Sequence, residues 1–223
     1  MQSPPLVVAF DVIETLFPLE PLRPKLETAG MPAHALETWF AQLLRNAFAM
    51  NSTDSYRPFR EMAVDALQSL AATQHVKLAS SQVEDIIGTF AELDPHPDVA
   101  PAMHLLQEAG VRIVTLTNGS ASVTQQLLER AELVPYIEKT MSVDEVQLWK
   151  PRREVYLHCA KAACVEPQQL ALIAAHGWDI QGAAHAGLMT GYVSRGKPFP
   201  SVMRPPLVSG EDLQAVARQF IQK

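Results

Sequence analysis

The segment Pro5-Leu-Val-Val-Ala-Phe10 carries no polar side chain and runs directly into an aspartate, Asp11. A continuous apolar run rich in β-branched residues suits a strand buried on both faces, as strands are in the middle of a parallel sheet. A chain that opens this way must supply further strands, and helices to cover both faces. The rest of the sequence does so in two regimes. From Pro21 to about Leu93 the apolar residues fall at helical spacing. Leu36, Trp39, Phe40, Leu43, Leu44, Ala47 and Phe48 predict one amphipathic helix, and Phe59, Met62, Ala63, Ala66, Leu67 and Leu70 predict another. Ser81 with Glu84 makes a capping-box pattern, which predicts a further helix carrying Val83, Ile86, Ile87 and Phe90.

The proline-rich stretch Asp94-Pro-His-Pro-Asp98 ends that regime. Beyond it the pattern predicts a helix over 103–109 stopped by Gly110, a strand over 111–116, a helix over 121–131 and a weaker strand over 137–143. A helix over 152–163, a strand over 170–175, a helix over 180–186 and a short strand over 189–193 follow. Strands alternating with helices imply βαβ crossovers and a parallel sheet. The expected fold is therefore α/β, with a Rossmann-like core of residues 1–17 plus 95–223 and an inserted helical cap of residues 18–94. A chain of 223 residues has room for a core domain and a smaller insertion, but not for two large domains.

The formal net charge is −6, with no cluster of Lys and Arg, so the chain has no electrostatic footprint for nucleic acid or an anionic membrane surface. The first apolar run is too short to span a bilayer and lacks the basic flank of a secretion signal, so a cytoplasmic location is expected. Cys159 and Cys164 fit neither a disulfide framework nor a CxxC pair, and both are expected to be buried apolar residues.

Ligands of open parallel sheets bind beyond the carboxyl ends of the strands. Four groups of polar residues are predicted there: Asp11 with Thr15, Thr117-Asn118-Gly119-Ser120, Lys150, and His176-Gly-Trp178-Asp179. In order along the chain, Phe10-Asp-Val-Ile-Glu-Thr-Leu-Phe17, Leu116-Thr-Asn-Gly-Ser120, Trp149-Lys-Pro151 with Tyr156, and Trp178-Asp179 resemble the motifs of the haloacid dehalogenase superfamily. Within it they look most like the L-2-haloacid dehalogenase branch, whose final strand and turn resemble Tyr192-Val-Ser-Arg-Gly196.

The resemblance implies that Asp11 attacks carbon 2 of a small anionic 2-halocarboxylate, and that water then cleaves the resulting aspartyl ester, with neither metal nor cofactor. It implies that Lys150 keeps Asp11 ionised, that Thr15 and Thr117 position carboxylates, and that Asn118 contacts halide or substrate. Asp179 would orient Lys150 and the hydrolytic water, with Tyr156 near the Lys150 head group and Trp178 at the substrate. The resembled family is often dimeric, so a homodimer is the protein partner it suggests. Phosphatases of the superfamily carry a second aspartate two positions after the nucleophile, to protonate the leaving alkoxide; here that position is Ile13. They also place an aspartate where this chain has Ala175.

Three positions depart from the dehalogenase pattern. The branch's halide-binding arginine aligns with Phe40, and Arg45 further along the same helix is a candidate substitute. Ala174 and His176 stand where the branch has serine and asparagine. His176 is either a base toward water or a hydrogen-bonded structural residue. Asp179 has a second option, as cap of the helix it precedes. Two rival functions stay open: a phosphatase-like hydrolase that uses Glu14 as its acid, and a binding module that has lost turnover.

Overall fold

A computed structural model describes residues 3–222. The strands are β1 (Val7–Phe10), β2 (Arg112–Thr117), β3 (Lys139–Ser142), β4 (Leu170–Ala174), β5 (Met189–Val193) and β6 (Val208–Gly210). They form one sheet in the order β3-β2-β1-β4-β5-β6, with every neighbouring pair parallel. Four helices lie between β1 and the proline-rich stretch: α1 (Leu22–Thr28), α2 (Ala35–Ser52), α3 (Phe59–Thr73) and α4 (Ser80–Gly88). This is the inserted helical cap. Helices α5 (Val99–Glu108), α6 (Ala121–Arg130), α7 (Arg153–Ala162), α8 (Gly177–Ala186) and α9 (Leu213–Ile221) belong to the Rossmann-like part. Among the described residues no helix is long and apolar enough to cross a membrane.

The unbroken apolar character of β1 follows from its central place. Val8 and Phe10 join one buried cluster with Leu106 of α5, Val216 and Phe220 of α9, and Trp39 and Leu43 of α2. Val7 and Ala9, on the other face, join a second cluster with Val155 and Cys159 of α7 and Ile180 and Ala183 of α8. Successive side chains point to opposite faces, so a strand covered on both sides has no position for a polar residue.

Several elements differ from expectation. Helix α5 begins at Val99, ahead of the expected Met103, and α8 begins at Gly177, which brings Trp178 and Asp179 into its first turn. Helix α4 starts before Ser81, and its first turn is closed by Gln82, whose Oε1 accepts the Ala79 N–H at 2.9 Å. Glu84 instead pairs with Arg60 of α3. Cys159 is buried as expected, but Cys164 is exposed, because α7 ends at Ala162 and Cys164 turns the chain with a φ of 56°. Strand β6 and helix α9 were not anticipated. The signal for α9 was present: Asp212 caps it through the Ala215 N–H at 2.7 Å, and Leu213, Val216, Ala217 and Phe220 are its buried stripe.

The chain runs from β1 outward to β3, then returns to β4 on the other side of β1, so the strand order reverses at the sheet's centre. A crevice opens beyond the carboxyl ends at such a reversal. The loops leaving β1, β2 and β4 meet there. One edge of the crevice is tied down by a nearly buried ion pair: Arg195 donates to both Asp98 oxygens, at 2.9 and 2.8 Å, and to the Thr15 carbonyl at 2.8 Å. Asp98 also accepts the Leu213 N–H at 2.6 Å, which joins the starts of α5 and α9.

Removing one partner of a buried pair strands the other's charge. Arg195→Met is expected to lower unfolding free energy by about 3 kcal/mol, read from urea midpoints at neutral pH. The double variant Asp98→Asn, Arg195→Met should recover part of that loss; if it proves additive, the two residues are not energetically coupled.

Candidate active site

Asp11 follows β1 directly, and its N–H donates to the Ile173 carbonyl of β4 at 3.0 Å. The chain then doubles back, with Leu16 N–H donating to the Val12 carbonyl at 2.8 Å and Glu14 in the left-handed region at a φ of 65°. That turn returns Thr15 to the nucleophile candidate. The Thr15 hydroxyl accepts the Ala175 N–H at 2.9 Å, so its own proton is directed to Asp11 Oδ2, 2.7 Å away.

Lys150 has no solvent exposure. Its three ammonium protons meet three acceptors: Asp11 Oδ1 at 2.7 Å, Asp179 Oδ2 at 2.7 Å and the Leu116 carbonyl at 2.8 Å. The Lys150 main chain is fixed too, its N–H donating to Asn118 Oδ1 at 3.0 Å. Asn51 of α2 clamps the preceding residue from the cap: its Nδ2 donates to the Trp149 carbonyl at 2.8 Å, and its Oδ1 accepts the Trp149 N–H at 3.0 Å.

Burial by itself would raise the Asp11 pKa, but the Lys150 charge, the His176 hydrogen bond and the remaining partners together hold it well below the ordinary carboxylate range. Burial opposes the Lys150 charge as well, and there the Asp11 and Asp179 carboxylates prevail and raise its pKa. For Asp179 burial wins: helped by the Asp11 charge and resisted by Lys150, it lifts this carboxyl above its ordinary value. The Tyr156 hydroxyl donates to Asp179 Oδ1 at 2.6 Å. Gly182 permits that approach, since a Cβ there would stand 2.6 Å from the Tyr156 hydroxyl. Asp179 is thus an internal link between Lys150 and Tyr156, not the cap of α8.

His176 ends the loop after β4. Its Nδ1 lies 3.0 Å from Asp11 Oδ2, and its ring stacks on Trp178 at 5.0 Å between centroids. An ionised carboxylate only accepts, so Nδ1 carries the proton and, in the neutral ring, Nε2 keeps its lone pair. Nε2 has no protein partner among the described residues. The space beside Asp11 is small, about 20 Å³, and is walled by Ile13, Phe40, Leu44, Phe59 and Trp178. Thr117 and Asn118 also face it. The Thr117 oxygen accepts the Gly119 N–H at 2.9 Å, which leaves its proton free, and Asn118 Nδ2 has no protein partner among the described residues.

Two expected residues lie elsewhere. Arg45 is on the exposed side of α2, its guanidinium bonded to Asn46 at 3.1 Å. Five residues along a helix is a rotation of about 140°, so Arg45 cannot share the face of Phe40, whereas Leu44 can. Tyr156 is fully buried behind Asp179 and does not line the pocket. Asn51, Asp98 and Arg195 were not singled out as supports of the site. For Asn51 there was a signal, a polar residue on the apolar stripe that continues from Leu43 and Ala47.

Two positions that carry aspartates in the phosphatases are apolar here. The two carboxylates that would hold a hard cation already share the Lys150 ammonium, and Ile13 and Ala175 supply no oxygen side chain. Glu14 is engaged away from the nucleophile: its carboxylate accepts the Leu19 N–H at 2.8 Å and Lys197 Nζ at 3.0 Å.

Comparison with known proteins gives the chain's family and its structural likenesses. A family model described as haloacid dehalogenase-like hydrolase matches residues 6–187. A curated relative, (S)-2-haloacid dehalogenase 4A of Burkholderia cepacia, is 24% identical over 81% of this chain and 79% of its own length. The solved L-2-haloacid dehalogenase RSc1362 superposes with a TM-score of 0.92 at 24% identity, covering 99% of this chain and 100% of the other. L-2-haloacid dehalogenase from Xanthobacter autotrophicus, solved with chloropropionic acid covalently bound, gives a TM-score of 0.88 at 20% identity, covering 96% and 97%. Likeness at these identities establishes a shared fold.

The depressed Asp11 pKa has a pH signature. A carboxylate with a folded pKa below its unfolded value of about 3.8 stabilises fully above that value, and the contribution is lost as pH falls through the folded pKa. Asp11→Asn is expected to fold but to unfold at lower urea, with the same deficit at pH 7 and pH 5 and a clearly smaller one at pH 3. A deficit that does not shrink between pH 5 and pH 3, or that grows as pH falls, would mean that the Asp11 pKa is not depressed.

Proposed function

The chain belongs to the haloacid dehalogenase-like hydrolase family, and we propose that it hydrolyses the carbon–halogen bond of 2-haloalkanoic acids through an ester on Asp11, without a metal ion. The observation that carries this reading is the donor cage on Asp11: Lys150, Thr15 and His176 stabilise its anionic form at neutral pH, while position 13 offers no acid. A permanently ionised carboxylate beside a pocket with no carboxylic acid suits a leaving group that departs as a stable anion.

In the first step an Asp11 oxygen attacks C2 from the side opposite the halogen. The C2–halogen bond breaks with its electron pair on halide, and an aspartyl ester remains. Asn118 Nδ2 and the free Thr117 proton are the unpaired donors available to halide and to the substrate carboxylate. With Phe40 in place of an arginine, the positive ring edges of Phe40 and Trp178 add weaker support for the halide.

In the second step water attacks the Asp11 carbonyl carbon. His176 Nε2 is the base that takes the proton, its ring held by the Nδ1 contact and by the stack on Trp178. The tetrahedral intermediate then collapses with cleavage of the Asp11 acyl carbon–oxygen bond, His176 returns its Nε2 proton to the departing alkoxide to give the 2-hydroxy acid, and the proton left on the Asp11 carboxyl passes to water as the carboxylate is regenerated. The C2–oxygen bond made in the first step is kept, so the net reaction inverts C2. Phosphoryl transfer has no comparable support, because Glu14, the one alternative acid, is held by Leu19 and Lys197.

Two measurements test this reading together. Halide release from chloro- and bromo-propionate with EDTA present is expected in the native protein and absent in Asp11→Asn. A single turnover in 18O-water should place the label in the peptide carrying Asp11 and not in the released hydroxy acid. Label found only in the product would replace the ester with direct attack by water, and no halide at all would leave a binding module.

A further inference from the structure

The space at Asp11 is small, yet a much larger cavity of about 380 Å³ adjoins it between the helical insertion and α6. Ile13, Phe59, Thr117 and Gly119 belong to the walls of both. The far wall of the large cavity is apolar, built from Ile87 and Phe90 on the cap side and Val123 and Leu127 on α6. Its polar groups are largely engaged: Arg60 pairs with Glu84, Tyr56 donates to Asp144, and Ser120 caps α6. Gly88 contributes backbone alone. It sits at the end of α4 with helical angles, φ −58° and ψ −31°, and a Cβ built there would meet no atom within 4 Å. Any residue would satisfy the helix at this position, so the missing side chain is a matter of space and not of conformation.

An apolar void of this size invites an apolar occupant, and its shared wall with the reaction pocket says which part of the substrate that is. Ile13 is two residues from the nucleophile and lies on that wall, where the substituent on C2 would leave the reaction pocket. Resting on the dehalogenase reading above, we infer that the preferred substrates are 2-halo acids with an apolar chain on C2 of four carbons or more; at a carbon's share of roughly 30 Å³, similar to that of a water, a cavity of about 380 Å³ has room for about twelve. The carboxylate and the C–halogen bond stay with Thr117, Asn118 and Asp11. The chain passes Ile13 and Phe59 into the cavity.

The test is the bromide-release kcat/KM of the full-length protein on 2-bromo acids from propionate through hexanoate to octanoate. Each early methylene is expected to raise kcat/KM about fourfold, the equivalent of about 0.8 kcal/mol per buried CH2. Gly88→Leu and Val123→Phe, checked for native circular dichroism, should return the long acids to the 2-bromopropionate rate while that short acid changes less than twofold. A series that is flat or falls with length, or long-chain turnover that both fillers leave intact, overturns the tail site but not dehalogenation. If no acid in the series releases bromide, dehalogenation is what fails, and unhalogenated hexanoate and octanoate then test the cavity alone. A rise in Tm with these acids that propionate does not give, and that Gly88→Leu abolishes, upholds the tail site; no such rise overturns it.

Discussion

An ammonium group with no access to water must find a protein acceptor for each of its protons, and the Lys150 group dictates the arrangement around it. Its acceptors come from three different elements: Asp11 at the end of β1, Leu116 in β2 and Asp179 in the first turn of α8. Desolvating an ion costs several kcal/mol, and only simultaneous contact with two carboxylates and a carbonyl offsets it. The sheet order, the entry of α8 and the loop carrying Lys150 therefore have to agree at one point. That point is the strand-order reversal, where the fold already leaves a crevice. The nucleophile candidate is ionised by the same contacts that hold the crevice together.

The helical insertion takes part in this and is more than a lid. Asn51 is buried at the far end of α2 and holds the Trp149 main chain through two hydrogen bonds, directly before Lys150. Trp149 Nε1 donates to the Arg57 carbonyl at 3.1 Å, so the segment between α2 and α3 grips the same residue. Motion of these helices would be felt at Lys150 through the backbone, and hence at Asp11. Arg195 and Asp98 do similar work on the other side by fixing the Thr15 carbonyl. Thr15 can then use its hydroxyl on Asp11 without strain from a mobile turn.

The parts of this architecture visible in sequence were those with a local signature. β1 announced itself by its apolar run, and the candidates after β1, β2 and β4 could be placed because each follows a strand directly. Lys150 was harder, since a 3-10 turn and an irregular stretch separate it from β3; its motif, not its position, brought it forward. Asn51, Asp98 and Arg195 act on partners about a hundred residues away, and nothing in their own neighbourhoods names those partners. Arg45 shows the opposite error: it was close to Phe40 in sequence, but the turn of the helix put it in solvent. β6 escaped because three residues, one of them glycine, carry too little pattern to count as a strand.

The chemistry of the site also follows from what occupies the space between its two carboxylates. A hard cation there would polarise a bound oxygen and leave coordination positions for a phosphoryl group. The Lys150 ammonium does neither, because all three of its protons are committed and its geometry is closed. It balances charge and fixes Asp11 while offering nothing to a leaving group. Ile13 and the diverted Glu14 withhold a proton from the same place. A site that sustains an anionic nucleophile and places no acid at position 13 favours the proposed first step, in which the leaving group is already a weak base and halide departs without a proton.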